Sequence, residues 1–162
     1  MGLKGSHLRA VSLLGAGSLV ATLAVAMGLQ APASAAPTRY EAENATISQG
    51  LVESNHTGFS GTGFVNNDNV AGSYTEWTVT AAGAGSATLT IRYANGTTTN
   101  RPMDIRVNGA VVAAGRAFNG TGGWDTWATS TLSVPLAAGT NTIRVTATTA
   151  NGGPNLDYID LS

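Results

Sequence analysis

The chain has 162 residues, no cysteine, and only 10% charged residues. The absence of cysteine excludes disulfide bonds, thiol catalysis and zinc sites built from thiolates. Acidic and basic residues nearly balance, at nine against eight, so the sequence lacks the basic surface on which nucleic-acid binding depends. The low charge and the 21 glycines are more typical of a β domain than of a helical protein.

The first 35 residues have the layout of a signal peptide. Lys4 and Arg9 precede an apolar stretch that reaches about Leu29, and the small-x-small triplet ASA follows at 33–35. We predict cleavage after Ala35, with the next bond as the second choice, and therefore a secreted protein. The alternative is an uncleaved anchor, since roughly 20 apolar residues span a bilayer, but glycine and serine dilute this stretch.

The mature chain is predicted to start with a short leader at 36–39, followed by one domain at 40–162. It contains six arginines, no lysine and nine acidic residues. A chain of this length buries a sufficient core without cross-links. No other segment is apolar enough to span a membrane.

We expect the protein recovered from culture medium to begin at or next to Ala36, because the cleavage triplet directly precedes it. N-terminal sequencing of the secreted product checks this. A membrane-bound product that retains Met1 would contradict the export prediction.

The domain is predicted to consist of short strands, because apolar residues alternate with polar ones at a period of two. At 87–93, for example, Leu89, Ile91 and Tyr93 fall on one face and the intervening residues on the other. Strands of this length, separated by turn residues, predict an antiparallel β-sandwich of the jelly-roll type. The predicted strands lie at 40–45, 74–80, 87–93, 104–107, 110–113, 129–134, 142–148 and 156–161.

The strongest local signal is a hairpin between the strands at 104–107 and 110–113. Asn108 and Gly109 separate them, and both residue types tolerate the positive φ that a two-residue hairpin turn needs.

Three carboxylates suggest a metal site. Glu41 and Glu43 are separated by one residue in a predicted strand, so their side chains share a face roughly 7 Å apart. Asp160 lies near the end of the last strand, which in a sandwich often joins the sheet of the first. Such a set of hard oxygen ligands suits Ca²⁺. The alternative is that the glutamates are solvated surface acids.

Aromatic residues and asparagine cluster near predicted turns. A sugar ring offers an apolar face to an aromatic ring, and its hydroxyls pair with amides that both donate and accept. We expect Trp124, which follows a glycine-rich turn, to be exposed and Trp127 to pack inside. For each aromatic residue the alternative is a place in the core. The cluster comprises Tyr93, Phe118, Trp124, Trp127 and Asn155.

These residues belong to an ordered series of motifs that resembles carbohydrate-binding module family 35, a relative of family 6. The series covers nearly all of the mature chain, which makes it more specific than any one motif. The matching segments are YEAENA at 40–45, IRYANG at 91–96, NRP at 100–102, VNG at 107–109, GWDTW at 123–127, AGTNTI at 138–143 and NLDYI at 155–159.

The resemblance implies a jelly roll with a structural Ca²⁺ held by Glu41, Glu43 and Asp160. It also implies that a polysaccharide or oligosaccharide binds in the loops at one edge of the sandwich. The positions that match the family's ligand contacts are Tyr93, Asn100, Trp124 and Asn155.

We therefore predict a monomeric, non-catalytic module that binds a plant or microbial cell-wall glycan, without choosing among uronic acids, galactosides, mannans and α-glucans. The resemblance further suggests an accessory module or fragment of a glycoside hydrolase or lyase, or a free-standing binder. One alternative is a small glycosidase or lyase, which needs two carboxylates about 5 to 9.5 Å apart across a cleft. Another is a protein-binding domain, since the fold alone does not fix the function.

Overall fold

The computed structural model describes residues 1–2 and 36–162. The predicted signal peptide and its cleavage site after Ala35 therefore lie almost entirely outside the described residues. Within the described part, no helix is both long and apolar enough to cross a membrane.

Strands make up most of the described chain. They are β1 (Thr38–Glu41), β2 (Thr46–Ser48), β3 (Gly50–Glu53), β4 (Phe64–Asn67), β5 (Tyr74–Ala81), β6 (Gly85–Ala94), β7 (Met103–Val107), β8 (Ala110–Arg116), β9 (Ala128–Leu136), β10 (Gly139–Ala147) and β11 (Asn155–Leu161).

The strands form two antiparallel sheets. Sheet A has the order β3-β4-β11-β6-β9, and β1 also pairs with β11; sheet B has the order β2-β5-β10-β7-β8. Side chains at alternate positions of both sheets form one apolar core, which includes Leu89 and Ile91 of sheet A and Ile105 and Ile143 of sheet B. The antiparallel β-sandwich predicted from the sequence is therefore confirmed.

The hairpin prediction is also confirmed. β7 and β8 pair on either side of Asn108 and Gly109. The φ angles of these two residues are 49° and 83°, as a two-residue turn with positive φ at both positions requires.

The predicted strand at 40–45 is wrong in its second half. β1 ends at Glu41 and a 3₁₀ turn, Ala42–Asn44, follows before β2. The turn is closed by the Ala45 N–H, which donates to the Ala42 carbonyl at 3.0 Å, and it points the Ala42 side chain into the core. Glu43 thus lies on a turn and not on the strand that carries Glu41.

Three loops meet at one end of the sandwich. We call them the first loop (54–63, between β3 and β4), the second loop (95–102, between β6 and β7) and the third loop (117–127, between β8 and β9). The fold brings the three loops together because the strands that flank them end on the same side of the sandwich. The predicted glycan-binding residues all lie on or beside these loops.

Candidate functional site

An open cleft of about 220 Å³ lies where the first and third loops meet sheet A. Its floor is made by neighbouring strands, because Asn155 of β11 pairs with Asn66 of β4 in the sheet register. One wall is formed by the first loop and another by Trp124 of the third loop. The lining residues are Glu53, Asn55, His56, Asn66, Trp124 and Asn155.

The amides of the floor suit the recognition of hydroxyl groups. Asn155 is only 3% exposed, yet its side chain has no hydrogen bond to any residue in 36–162, so its donors and acceptor face the cleft. The side chain of Asn66 donates to Glu53 Oε2 at 3.0 Å, which leaves its own oxygen free to accept. An amide that is almost buried and has no partner within the described protein can bind a ligand hydroxyl or a water molecule from the cleft.

Trp124 is half-buried and forms the apolar wall of the cleft. Its indole lies on Gly96, where an added Cβ would come within 2.5 Å of three ring atoms. The His56 ring lies nearly parallel to it, at 6.2 Å between centroids and 25° between planes. The Arg101 guanidinium carbon is 5.5 Å from the indole centroid. The ring is thus held in place while one side still borders the cleft.

The third loop also holds the first loop in position. Asp125 Oδ1 accepts hydrogen bonds from the Thr57 N–H at 2.5 Å and from the Thr57 hydroxyl at 3.1 Å. The Thr57 N–H is the main cause of a lowered pKa at Asp125, and His56 contributes. The carboxylate is therefore ionised at neutral pH, and the hydrogen bonds from Thr57 weaken when acid protonates it. Together these bonds fix Asn55 and His56 at the cleft.

Trp127 takes part in the same contact and is not a core residue. Its indole N–H donates to the Thr57 carbonyl at 2.8 Å, and its ring packs edge-on against Phe64 with centroids 5.6 Å apart. The residue precedes β9 and is only half-buried. The expectation that Trp127 packs inside is thus wrong, because this loop residue covers the core from outside.

Tyr93 and Asn100 do not line the cleft. Tyr93 is 8% exposed and packs edge-on against Phe118, with centroids 4.9 Å apart; burial raises its pKa. Asn100 Oδ1 accepts a hydrogen bond from the Phe118 N–H at 2.8 Å. Both side chains therefore support the third loop. Of the four predicted contacts, the structure brings Trp124 and Asn155 together in the cleft.

A separate cluster forms where the first loop passes the start of the domain. Glu41 and Glu43 converge on Gly61, since a Cβ added there would lie 3.3 Å and 3.1 Å from their carboxyl carbons. One oxygen of each carboxylate is paired: Ser60 Oγ donates to Glu41 at 2.7 Å, and the Thr62 N–H donates to Glu43 at 2.7 Å. The other oxygen of each is buried without a hydrogen-bond partner.

The structure does not bring Asp160 to these glutamates. Arg39 donates to both oxygens of Asp160, at 2.9 Å each, and this hydrogen-bonded partner raises the pKa of Arg39. β1 and β11 pair with Arg39 opposite Asp160, and with Glu41 opposite Tyr158. The first and last strands thus meet as predicted, but both oxygens of Asp160 are held by Arg39 and neither accepts a hydrogen bond from residues 60–62 beside the glutamates.

A different residue of β11, Asp157, is tied to the glutamate cluster. The sheet register shifts between Leu156 and Tyr158, so Asp157 occupies a β-bulge. It is fully buried, accepts from the Ser60 N–H at 2.8 Å and pairs with Arg92. Burial raises the pKa of Asp157, and the Glu41 carboxylate adds to this effect, while the Ser60 N–H and Arg92 oppose it.

The glutamate cluster has the donor chemistry of a calcium site. Two buried carboxylate oxygens without partners are costly, and a hard cation with oxygen ligands would satisfy both. In the described part of the chain no three acidic or histidine side chains gather into a metal site by themselves. A cation here would therefore also need hydroxyl or backbone oxygens, such as those of 60–62.

Sequence reasoning missed much of the cleft. Asn55 and His56 lie in the first loop, and Glu53 and Asn66 lie in the two four-residue strands beside it, whose alternation is too short to recognise. The only sequence signal for these residues was the polar segment at 53–56. Its residue types indicate a turn, but they do not indicate that a sheet lies next to it. Asp157 was passed over because strict alternation sets it apart from Asp160, and the bulge breaks that alternation.

Comparison with known proteins places this architecture in a family. The family model for carbohydrate-binding module family 6 matches residues 41–162. The exo-β-D-glucosaminidase of Amycolatopsis orientalis is 60% identical over 130 residues, which represent 80% of this chain and 13% of that enzyme. The chain thus spans only a small part of this curated relative.

Solved structures of family 35 modules match over most of their length. A family 35 carbohydrate-binding module from Clostridium thermocellum is 45% identical, with a TM-score of 0.77 and coverage of 78% of this chain and 98% of that chain. Xyl-CBM35 in complex with a disaccharide containing glucuronic acid is 38% identical, with a TM-score of 0.69 and coverage of 76% and 91%. This chain therefore belongs to carbohydrate-binding module family 35, which is related to family 6.

Proposed function

We propose that the protein is an exported, monomeric module that binds glycans bearing glucuronic acid, and that it binds them without cleaving them. The observation that carries this proposal is the cleft in which Trp124 faces the unpaired amide of Asn155. An aromatic wall and an amide floor are the two features that a pyranose ring requires. Asn55 and Asn66 add further amides at the rim.

The acidic sugar is favoured by the relative that holds a disaccharide containing glucuronic acid and by the positive charge of Arg101, which lies against Trp124 behind the cleft. His56 forms part of the wall of the cleft. Glu53 would by itself repel a sugar carboxylate. A calcium ion between Glu53, the neighbouring amide oxygens and the sugar would remove that repulsion, since all of these are hard oxygen ligands.

We further propose that the glutamate cluster holds a structural Ca²⁺. Glu41 and Glu43 would supply their unpaired oxygens, and Asp157 would be the third carboxylate in place of Asp160. A bound cation would neutralise the like charges of Glu41 and Glu43 and would fix the first loop, through Ser60, to β1 and β11. Since the first loop carries Asn55 and His56, this ion would also preserve the shape of the cleft.

We expect the mature protein to sediment with insoluble glucuronic-acid-bearing polysaccharides and to leave their uncharged counterparts in suspension. The measurement is a pull-down on matched polymers with and without the acidic side group, in calcium and in EDTA, at a temperature where both forms stay folded. Glu53→Gln should reduce the calcium requirement of binding. Equal binding to acidic and neutral polymers would overturn the choice of sugar.

The alternatives make different predictions in the same assay. A glycosidase or lyase would release reducing ends from the polymers, which a binding module does not. A protein-binding domain would retain its partner in the presence of excess free sugar. Release of reducing ends that disappears in Glu41→Gln or Glu43→Gln would replace binding by catalysis as the conclusion.

A further inference from the structure

A second and larger groove adjoins the cleft on the far side of Trp124. It has a volume of about 530 Å³ and lies between the second and third loops. Gly96, which supports the Trp124 ring, also lines this groove. The contact between Trp124 and Gly96 therefore separates the two depressions, since the indole lines the cleft and the glycine lines the groove. The lining residues are Gly96, Thr97, Thr98, Asn119, Gly120 and Gly122.

The groove is preformed because its two loops are fastened to each other. Asn95 is completely buried, and its side-chain nitrogen donates to the carbonyls of Thr99 and Phe118, one in each loop, at 2.9 Å each. The loops also touch directly, since a Cβ on Gly120 would lie 2.2 Å from the Thr97 carbonyl oxygen. A ligand that binds here therefore loses little binding free energy to the ordering of the loops.

The surface of the groove is polar but uncharged. Thr98 and Asn119 are exposed, and their side chains have no hydrogen bond to any residue in the described range 36–162. With the backbone of the three glycines, they offer hydroxyl, amide and peptide groups and no carboxylate or guanidinium. Such a surface matches a neutral sugar with several hydroxyl groups better than a charged one.

The volumes of the cleft and the groove indicate that they bind different parts of one ligand. Ligand sites that enclose a small molecule usually measure about 300–1,000 Å³. At about 220 Å³, the cleft falls below this range and suits a single sugar unit, whereas the groove alone lies within it. A chain that leaves the cleft across the edge of Trp124 enters the groove directly.

We propose that this groove is a second sugar subsite, which binds the neutral pyranose linked to the acidic sugar held in the cleft. The inference rests on the proposed function of the cleft. It adds that the module recognises an oligosaccharide and not only a single terminal sugar. The acidic unit then contacts Trp124 in the cleft, and the neutral unit lies on the other side of the contact between Trp124 and Gly96.

The test is calorimetric titration of the mature protein with glucuronic acid, and with a disaccharide and a trisaccharide in which it is linked to neutral pyranoses. The larger ligands should bind at least about tenfold more tightly, since each adds about one to two net hydrogen bonds and apolar contact. Asn119→Ala should remove much of this gain. Asn119→Tyr, which fills the groove, should abolish it.

In both variants the affinity for glucuronic acid alone should stay as in the wild type, because the cleft is untouched. Thr140→Val, at an exposed position of sheet B, is the matched control and should change nothing. Equal affinities for the single sugar and the oligosaccharides, or an equal loss for all ligands in the Asn119 variants, would overturn the second subsite. Absence of binding by every ligand would instead overturn the proposed function of the cleft, and the subsite with it.

Discussion

Removal of calcium is expected to lower the melting temperature of the mature protein by about 10 °C or more. An ion present at a thousandfold excess over its Kd stabilises the folded state by about 4 kcal/mol. For a domain of this size, 1 kcal/mol corresponds to about 3–4 °C. The apo form also keeps two buried carboxylate oxygens without partners, on Glu41 and Glu43. Thermal melts in excess calcium and in EDTA measure the difference.

Three substitutions locate the ion. Glu43→Gln and Asp157→Asn should each make the melting temperature insensitive to chelation, because each removes a proposed ligand. Asp160→Asn should keep the full calcium response, although it loses the ion pair with Arg39. Asp157→Asn also loses its partner Arg92, so the readout is the shift between calcium and EDTA and not the melting temperature itself. A calcium response that vanishes only in Asp160→Asn would restore Asp160 as the ligand.

Trp124→Ala is expected to weaken glycan binding by about 30-fold, the roughly 2 kcal/mol that a central aromatic contact contributes. Because the ring is half-buried against Gly96, some stability is also lost, but less than the roughly 3–5 kcal/mol of a fully buried aromatic residue. Binding isotherms with a disaccharide containing glucuronic acid measure the first effect, and thermal melts measure the second.

Trp127→Phe is the matched comparison. It keeps an aromatic ring on Phe64 and near Arg92 but loses the hydrogen bond to the Thr57 carbonyl, which contributes about 0.5–1.5 kcal/mol. We expect a small loss of stability and a binding loss of a few-fold, because the first loop is less firmly held. If Trp127→Phe abolished binding and Trp124→Ala did not, the assignment of the two rings would have to be exchanged.

The fold was predictable because its longer strands carry strong local signals. The alternation in β6 and the Asn108-Gly109 turn each define structure within a few residues, so neighbours in sequence suffice. β2, β3 and β4 were missed because strands of three or four residues offer too few alternations. Their position depends on pairing with β5 and β11, which is a tertiary effect.

The residues of the candidate cleft were predictable only where a single residue carries a recognisable chemical signal. Trp124 and Asn155 stand out as an aromatic residue in a glycine-rich loop and an asparagine at a strand end. Asp157 depends on a β-bulge, and a shift of one residue changes which side chain reaches the first loop. Asn100 was predicted to contact sugar because its amide suits hydroxyl groups. In the structure that amide instead accepts a hydrogen bond from the Phe118 N–H of the third loop.

The most direct test of the cleft is NMR titration of the isotope-labelled mature protein with a disaccharide containing glucuronic acid. The largest shifts should appear at the indole N–H of Trp124 and at the side-chain amides of Asn155 and Asn66, with smaller shifts at the amide of Asn119. Shifts confined to the outer faces of the two sheets, or an unchanged spectrum at saturating sugar, would contradict the assignment of this cleft as the glycan-binding site.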